Sequence, residues 1–163
     1  MNYQIIAMQP SDWKQVCEIY AQGIQTGQAT FETKVPSWEQ WDENHLKICR
    51  IVACSGESIL GWAVLSPTSK RFAYAGVVEV SIYVDKKYCG QGVGKALLER
   101  LISLSEEVGF WTLQSTIIRE NIASYRLHEK CGFRKVGVRE KIAKIGNEWH
   151  DTVLMEWRSK HIQ

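Results

Sequence analysis

Residues 83–101 read YVDKKYCGQGVGKALLERL. Three glycines, Gly90, Gly92 and Gly94, alternate with other residues, and a helical apolar pattern begins at once in Val93, Leu97, Leu98 and Leu101. The preceding stretch, VVEVSIYV at 77–84, is rich in β-branched residues and predicts a strand. So a strand runs into a glycine loop, and the loop opens a helix. Two familiar phosphate motifs fail here. The pattern GxxxxGK[ST] needs glycine at 89 and Ser or Thr at 96, where the chain has Cys89 and Ala96. The dinucleotide pattern GxGxxG, begun at Gly90, meets Lys95. What remains is strand, GxGxG, helix. Glycines let the backbone take positive φ and approach a ligand closely. The first-turn N–H groups have no partner within the helix, and the helix dipole adds positive charge there. A pyrophosphate fits such a place. A tight turn with no ligand fits the spacing equally well.

Working outward, Gln4 to Met8 predicts a strand ending before Pro10, and Ser11 and Asp12 cap a helix with Trp13, Val16, Ile19 and Tyr20 at helical spacing. Residues 23–36 read as a loop, and Ser37 caps a short helix carrying Trp38, Trp41 and Leu46. KICRIVAC (47–54) and ILGWAVLS (59–66) predict two strands joined as a hairpin through SGES. After the glycine loop, Gly109 ends the long helix. Residues 111–118 predict a strand, and Asn121 caps a helix that runs to about Lys130 and stops at Gly132. Two last strands lie near 133–143 and 148–157. The order β-α-α-β-β-β-α-β-α-β-β predicts a mixed α/β (α+β) sheet with helices packed on it, in one domain spanning 1–163.

Composition narrows the partners. The chain has 163 residues, 45% hydrophobic and 23% charged, with a formal net charge of +2. That charge is too small, and too evenly spread, for a nucleic-acid reader. It suits a single anionic ligand. No apolar run approaches the roughly 18 residues of a membrane span, and the N-terminus has no signal-peptide pattern. Five cysteines, an odd number without CxxC spacing, predict reduced thiols and a cytoplasmic location. His45, His128, His150 and His161 show no ligand spacing, so no metal is expected.

SIYV and GQGVGKALL, followed by Asn121-Ile122-Ala123-Ser124 and then His128-Glu129-Lys130-Cys131-Gly132-Phe133, strongly resemble the GNAT superfamily of N-acetyltransferases. YAGVVEVSIYV, SYRLHEKCGF, the late WHD and the early TFET resemble its phosphinothricin and methionine sulfoximine N-acetyltransferase branch. The resemblance spans nearly the whole chain. It implies a central sheet of about seven strands flanked by about four helices, with acetyl-coenzyme A as co-substrate. The loop of Gly90, Gln91, Gly92, Val93, Gly94 and Lys95 is then expected to bind the pyrophosphate. Ile82, Tyr83 and Val84 are expected to pair with the pantetheine arm, with Asn121, Ser124 and Lys130 beside it. A homodimer is also implied. One departure is Cys89, where the superfamily usually has Gln or Arg. The backbone donors of the loop do not depend on that side chain.

Acetyl transfer to an amine needs a base for the amine and donors for the negative charge growing on the thioester oxygen. It also needs two substrates held in place. Glu79, a carboxylate within the apolar run 77–82, is costly to bury without a use or a partner, and the branch carries its presumed catalytic glutamate there. Sharing a polar face with Ser81 is the simpler alternative. His128 stands where many relatives have a tyrosine proposed to protonate the leaving thiolate; Tyr125, one turn earlier, is an alternative donor. Arg71, Phe72 and Tyr74 are implied to line the acceptor pocket, because an arginine fork suits a carboxylate. Phe31, Thr33, Trp149, His150 and Asp151 are expected as further walls. The acceptor is thus expected to be a small amino acid or analogue. A polyamine, an aminoglycoside, a protein N-terminus, or a coenzyme A-binding module without turnover stay open on sequence alone.

Overall fold

A computed structural model describes residues 1–163. The strands are β1 (Gln4–Ala7), β2 (Ile51–Ser55), β3 (Ser58–Pro67), β4 (Val77–Val84), β5 (Thr112–Ile118), β6 (Arg134–Ile145) and β7 (Glu148–Arg158). The helices are α1 (Trp13–Thr26), α2 (Trp38–Asn44), α3 (Val93–Glu107) and α4 (Ile122–Lys130). The strands form one sheet in the order β1-β2-β3-β4-β5-β7-β6. Only β4 and β5 run parallel; every other neighbouring pair is antiparallel. This is the seven-stranded mixed sheet with four helices that the sequence predicts.

Strand alternation builds a core on each face of the sheet. On β2, Ile51 and Ala53 pack toward α3, where they meet Leu97, Leu98 and Leu101. Val52, between them, packs with Val16 and Ile19 of α1 and Trp41 of α2. On β4, Val78 and Val80 join the α3 side. Glu79, Ser81 and Tyr83 therefore share the α1 face, and Tyr83 packs against that second core.

Two sequence expectations are corrected. Residues 23–26 are not loop but the last turn of α1, which ends at Gly27 with φ 67° and its N–H donating to Ile24 O. Gly23 is a packing position rather than a breaker: a Cβ there would stand 2.8 Å from the Tyr83 ring. Residues 47–50 are not strand, and Leu46 lies beyond the end of α2. Cys49 takes φ 55°, and the Arg50 side chain turns back onto the end of α2, bonding Leu46 O, His45 O and the Asp42 carboxylate. A buried guanidinium with this many acceptors fixes the turn from which the chain enters β2 at Ile51.

Candidate active site

The sheet opens at its centre. β4 and β5 pair only through Val77↔Thr112, Val78↔Leu113 and Glu79↔Gln114. Beyond Glu79 the two strands part, and the facing edges of Val80–Val84 and Ser115–Ile118 carry no ladder bonds between them. Bare strand edges are templates for an extended partner.

Two hollows meet along this gap. The larger, of about 900 Å³, runs from the glycine loop to α4, and Ile82, Tyr83, Val84, Gly90, Gly92, Gly94, Lys95, Asn121, Ser124 and Lys130 all line it. Gln91 and Val93 do not: the Gln91 side chain donates back to Lys87 O, and Val93 is buried beneath the helix. Gly90 and Gly92 hold φ of 76° and 85° with open space where a Cβ would sit. α3 has no side-chain cap, and Ala96 N–H bonds Gly92 O, so the N–H groups before it are available to an outside acceptor. Lys86 and Arg126 add charge to the groove, which contains no carboxylate. Neither was singled out in the sequence: both lie within the quoted stretches, at positions to which the resemblance gives no role. Cys89 lies at the groove with its thiol pushed up by burial and by Asp85, which keeps it protonated.

The smaller hollow, of about 330 Å³, shares Ala29, Ile82, Tyr83, Asn121 and Ser124 with the first. Glu79 lines it from β4. Its Oε1 accepts from Gln114 Nε2 at 3.1 Å and from Thr116 Oγ1 at 2.9 Å. Neither donor was read from the sequence, since both depend on the register of β5 beside β4. His128 lines the hollow from α4 and is 1% exposed. Its Nδ1 lies 2.8 Å from Ser124 O, so Nδ1 carries the proton and the neutral ring leaves Nε2 as an acceptor without a partner. Burial holds this imidazole below its ordinary range. Tyr125 packs against the α3-side core and lines neither hollow.

Phe31 and Glu32 close the hollow from the loop after α1. That loop is tied down by Tyr83 OH donating to Ala29 O at 3.3 Å and by the Phe31 ring on His150 at 5.7 Å. Arg71, Phe72 and Tyr74 form an exposed turn before β4, with the Arg71 guanidinium 5.9 Å from the Tyr74 ring centroid. Phe72 is 93% exposed, and Trp149 is exposed under Lys144 Nζ. These four residues do not line either hollow, and Thr33 is likewise exposed. Asp151 accepts from Lys141 N–H and from Arg119, holding a bulge of β6. No three His, Cys, Asp or Glu side chains come together as a metal-binding group.

A groove lined by four cations and no carboxylate is joined through a split sheet to a small hollow with a held carboxylate, an arrangement with room for two substrates side by side. The model of the acetyltransferase (GNAT) family matches residues 13–133, and the chain belongs to that family as an acetyl-coenzyme A-dependent N-acetyltransferase. It is similar to a phosphinothricin N-acetyltransferase of Alcaligenes faecalis, 33% identical over 89% of this chain and 77% of that protein. It also resembles an L-methionine sulfoximine/L-methionine sulfone acetyltransferase of Pseudomonas paraeruginosa, 30% identical over 60% of this chain and 57% of that one. Among solved structures, a GNAT phosphinothricin acetyltransferase from Sinorhizobium meliloti in complex with acetyl-coenzyme A superposes with a TM-score of 0.87. It is 28% identical and covers 97% of this chain and 89% of that one.

Proposed function

We propose that the protein, as one domain over residues 1–163, acetylates the amine of a small amino acid or amino-acid analogue by direct attack, with Glu79 as general base. The observation that carries this reading is the Glu79 carboxylate at the point where β4 and β5 part, fixed by Gln114 and Thr116 and lining the smaller hollow. Acetyl-coenzyme A, when bound, supplies the activated acetyl group. Gly90, Gly92 and the N–H groups at the start of α3 hold its phosphates, with Lys86, Lys95, Arg126 and Lys130 around them. The bare edge of β4 receives its extended arm, and N–H groups on that edge stabilise charge growing on the acetyl oxygen. Glu79 takes the proton that the attacking amine must lose, while the amine nitrogen displaces sulfur from the acetyl carbon and the departing thiolate is protonated from solvent. His128, neutral with Nε2 as an acceptor, shapes the inner end of the hollow; donating to a thiolate would require a charged ring, which burial disfavours. The working unit is a homodimer. All five cysteines are unpaired, which suits a reducing cytoplasm, and fractionation of the source cells tests that location.

Glu79→Gln keeps the shape and removes the basicity. Turnover should fall by about 10²- to 10⁴-fold while acetyl-coenzyme A affinity stays near normal. The loss should be worst near neutral pH and should shrink at high pH, where more of the amine is already deprotonated. A folded Glu79→Gln enzyme that turns over within about threefold of wild type would place the base elsewhere.

A further inference from the structure

The two hollows carry opposite charge. Lys86, Lys95, Arg126 and Lys130 line the groove without a carboxylate. Glu32 and Glu79 line the smaller hollow without a lysine or arginine, and its one histidine, His128, is held toward the neutral form. Neither carboxylate belongs to an ion pair. Glu79 already has a place in the proposed chemistry. Glu32 does not, although its loop is pinned: its own N–H donates to Thr30 Oγ1 at 3.1 Å, Tyr83 holds Ala29, and Phe31 lies against His150.

We propose that Glu32 makes this enzyme reject acceptors whose side chain ends in an anion. Its substrates are then amino acids or analogues with neutral or hydrogen-bond-donating ends, such as a sulfone, a sulfoximine or an amide. The proposal rests on the amino-acid acceptor reading above. The reacting form of the acceptor has a free, uncharged amine. An acceptor with an α-carboxylate and a phosphinate then carries two negative charges into a hollow with two carboxylates. One with a neutral end carries a single negative charge, which can be turned toward the mouth. Like charges brought together as water leaves repel more strongly than in bulk solvent. A built-in repulsion of this kind sets specificity as effectively as an attractive contact. Similarity to a phosphinothricin acetyltransferase would by itself suggest the opposite preference, for a phosphinate-ended acceptor.

The test compares kcat/KM for methionine sulfone, methionine sulfoximine, phosphinothricin and glutamate at saturating acetyl-coenzyme A, in wild type, Glu32→Gln and Glu32→Arg. Wild type should favour the neutral-ended pair by about threefold or more, a size set by an exposed charge. Glu32→Gln should compress that ratio and Glu32→Arg should reverse it. Raising the salt to about 0.5 M should compress the wild-type ratio too. Coenzyme A binding by calorimetry checks that each variant is folded, and Glu32→Gln alone suffices if the arginine variant is not. A wild type that prefers phosphinothricin, or a ratio unchanged in folded Glu32→Gln, overturns the proposal while leaving the amino-acid acetyltransferase reading intact. Acetylation of other amines with none of the four amino acids accepted overturns both.

Discussion

His128 is buried and His45 half-buried, and the two titrate in the same sense. His45 packs on Trp41 with Nδ1 2.6 Å from Trp41 O, and His128 packs edge-on to Phe133. Burial lowers both from the ordinary value of 6.5. In the folded chain they stay neutral where the unfolded chain takes up protons. The native state then binds fewer protons, so stability is full above the unfolded value and is lost as pH falls below it. The melting midpoint should therefore drop between about pH 7 and pH 5, and His128→Gln should flatten that slope. A midpoint level across the range in wild type would contradict it. A separate loss belongs lower, below the ordinary carboxylate value of 3.8. Asp42, bonded to Lys47 and Arg50, and Asp151, bonded to the Lys141 N–H and Arg119, are both held ionised there.

At the scale of elements, the junction from β4 into α3 joins the local pattern to the function. Gly92 is the N-cap of α3 at φ 85°, so any side chain there is strained by about 1–2 kcal/mol even though nothing crowds its Cβ. Gly92→Ala isolates that strain. Gly92→Asp adds a carboxylate that is itself a good N-cap, able to occupy the N–H groups a phosphate would use. The KM for acetyl-coenzyme A should rise at least about tenfold more in Gly92→Asp than in Gly92→Ala, with both folded. Equal coenzyme A affinity in the two by calorimetry would refute it. Every strand and helix was legible in the sequence, because alternation, Ser37 and Asn121 caps and terminal glycines are local signals. Gly23 misled because a glycine packed under a tyrosine ring looks like a breaker, and Lys47–Arg50 because apolar character alone does not reveal where Arg50 finds its acceptors. The pairing of Glu79 with Gln114 and Thr116 was hidden, since register between strands 35 residues apart is set by the whole sheet. Glu32 was hidden too: a loop acid in TFET gives no sign of which way it faces.

For the whole molecule, the exposed apolar residues Phe72, Tyr74, Val136, Val138, Ile142 and Trp149 gather on the turn before β4 and on the edge hairpin β6–β7. Exposed apolar residues in such numbers suit contact with a second copy. Light scattering should give twice the 18.7 kDa chain mass, and Phe72→Asp should shift the protein toward monomer. A wild type that is monomeric at micromolar concentration would remove the homodimer from the proposal. The parting of β4 and β5 has a thermodynamic consequence. Three residue pairs are all that stitch one half of the sheet to the other through backbone. With the co-substrate in that seam, as proposed, it acts as a removable eighth strand, and folding and occupancy become linked. By mass action, occupancy at a hundred times the dissociation constant adds about 2.7 kcal/mol. The heat resistance of this enzyme in a cell is therefore a gauge of how much acetyl-coenzyme A surrounds it.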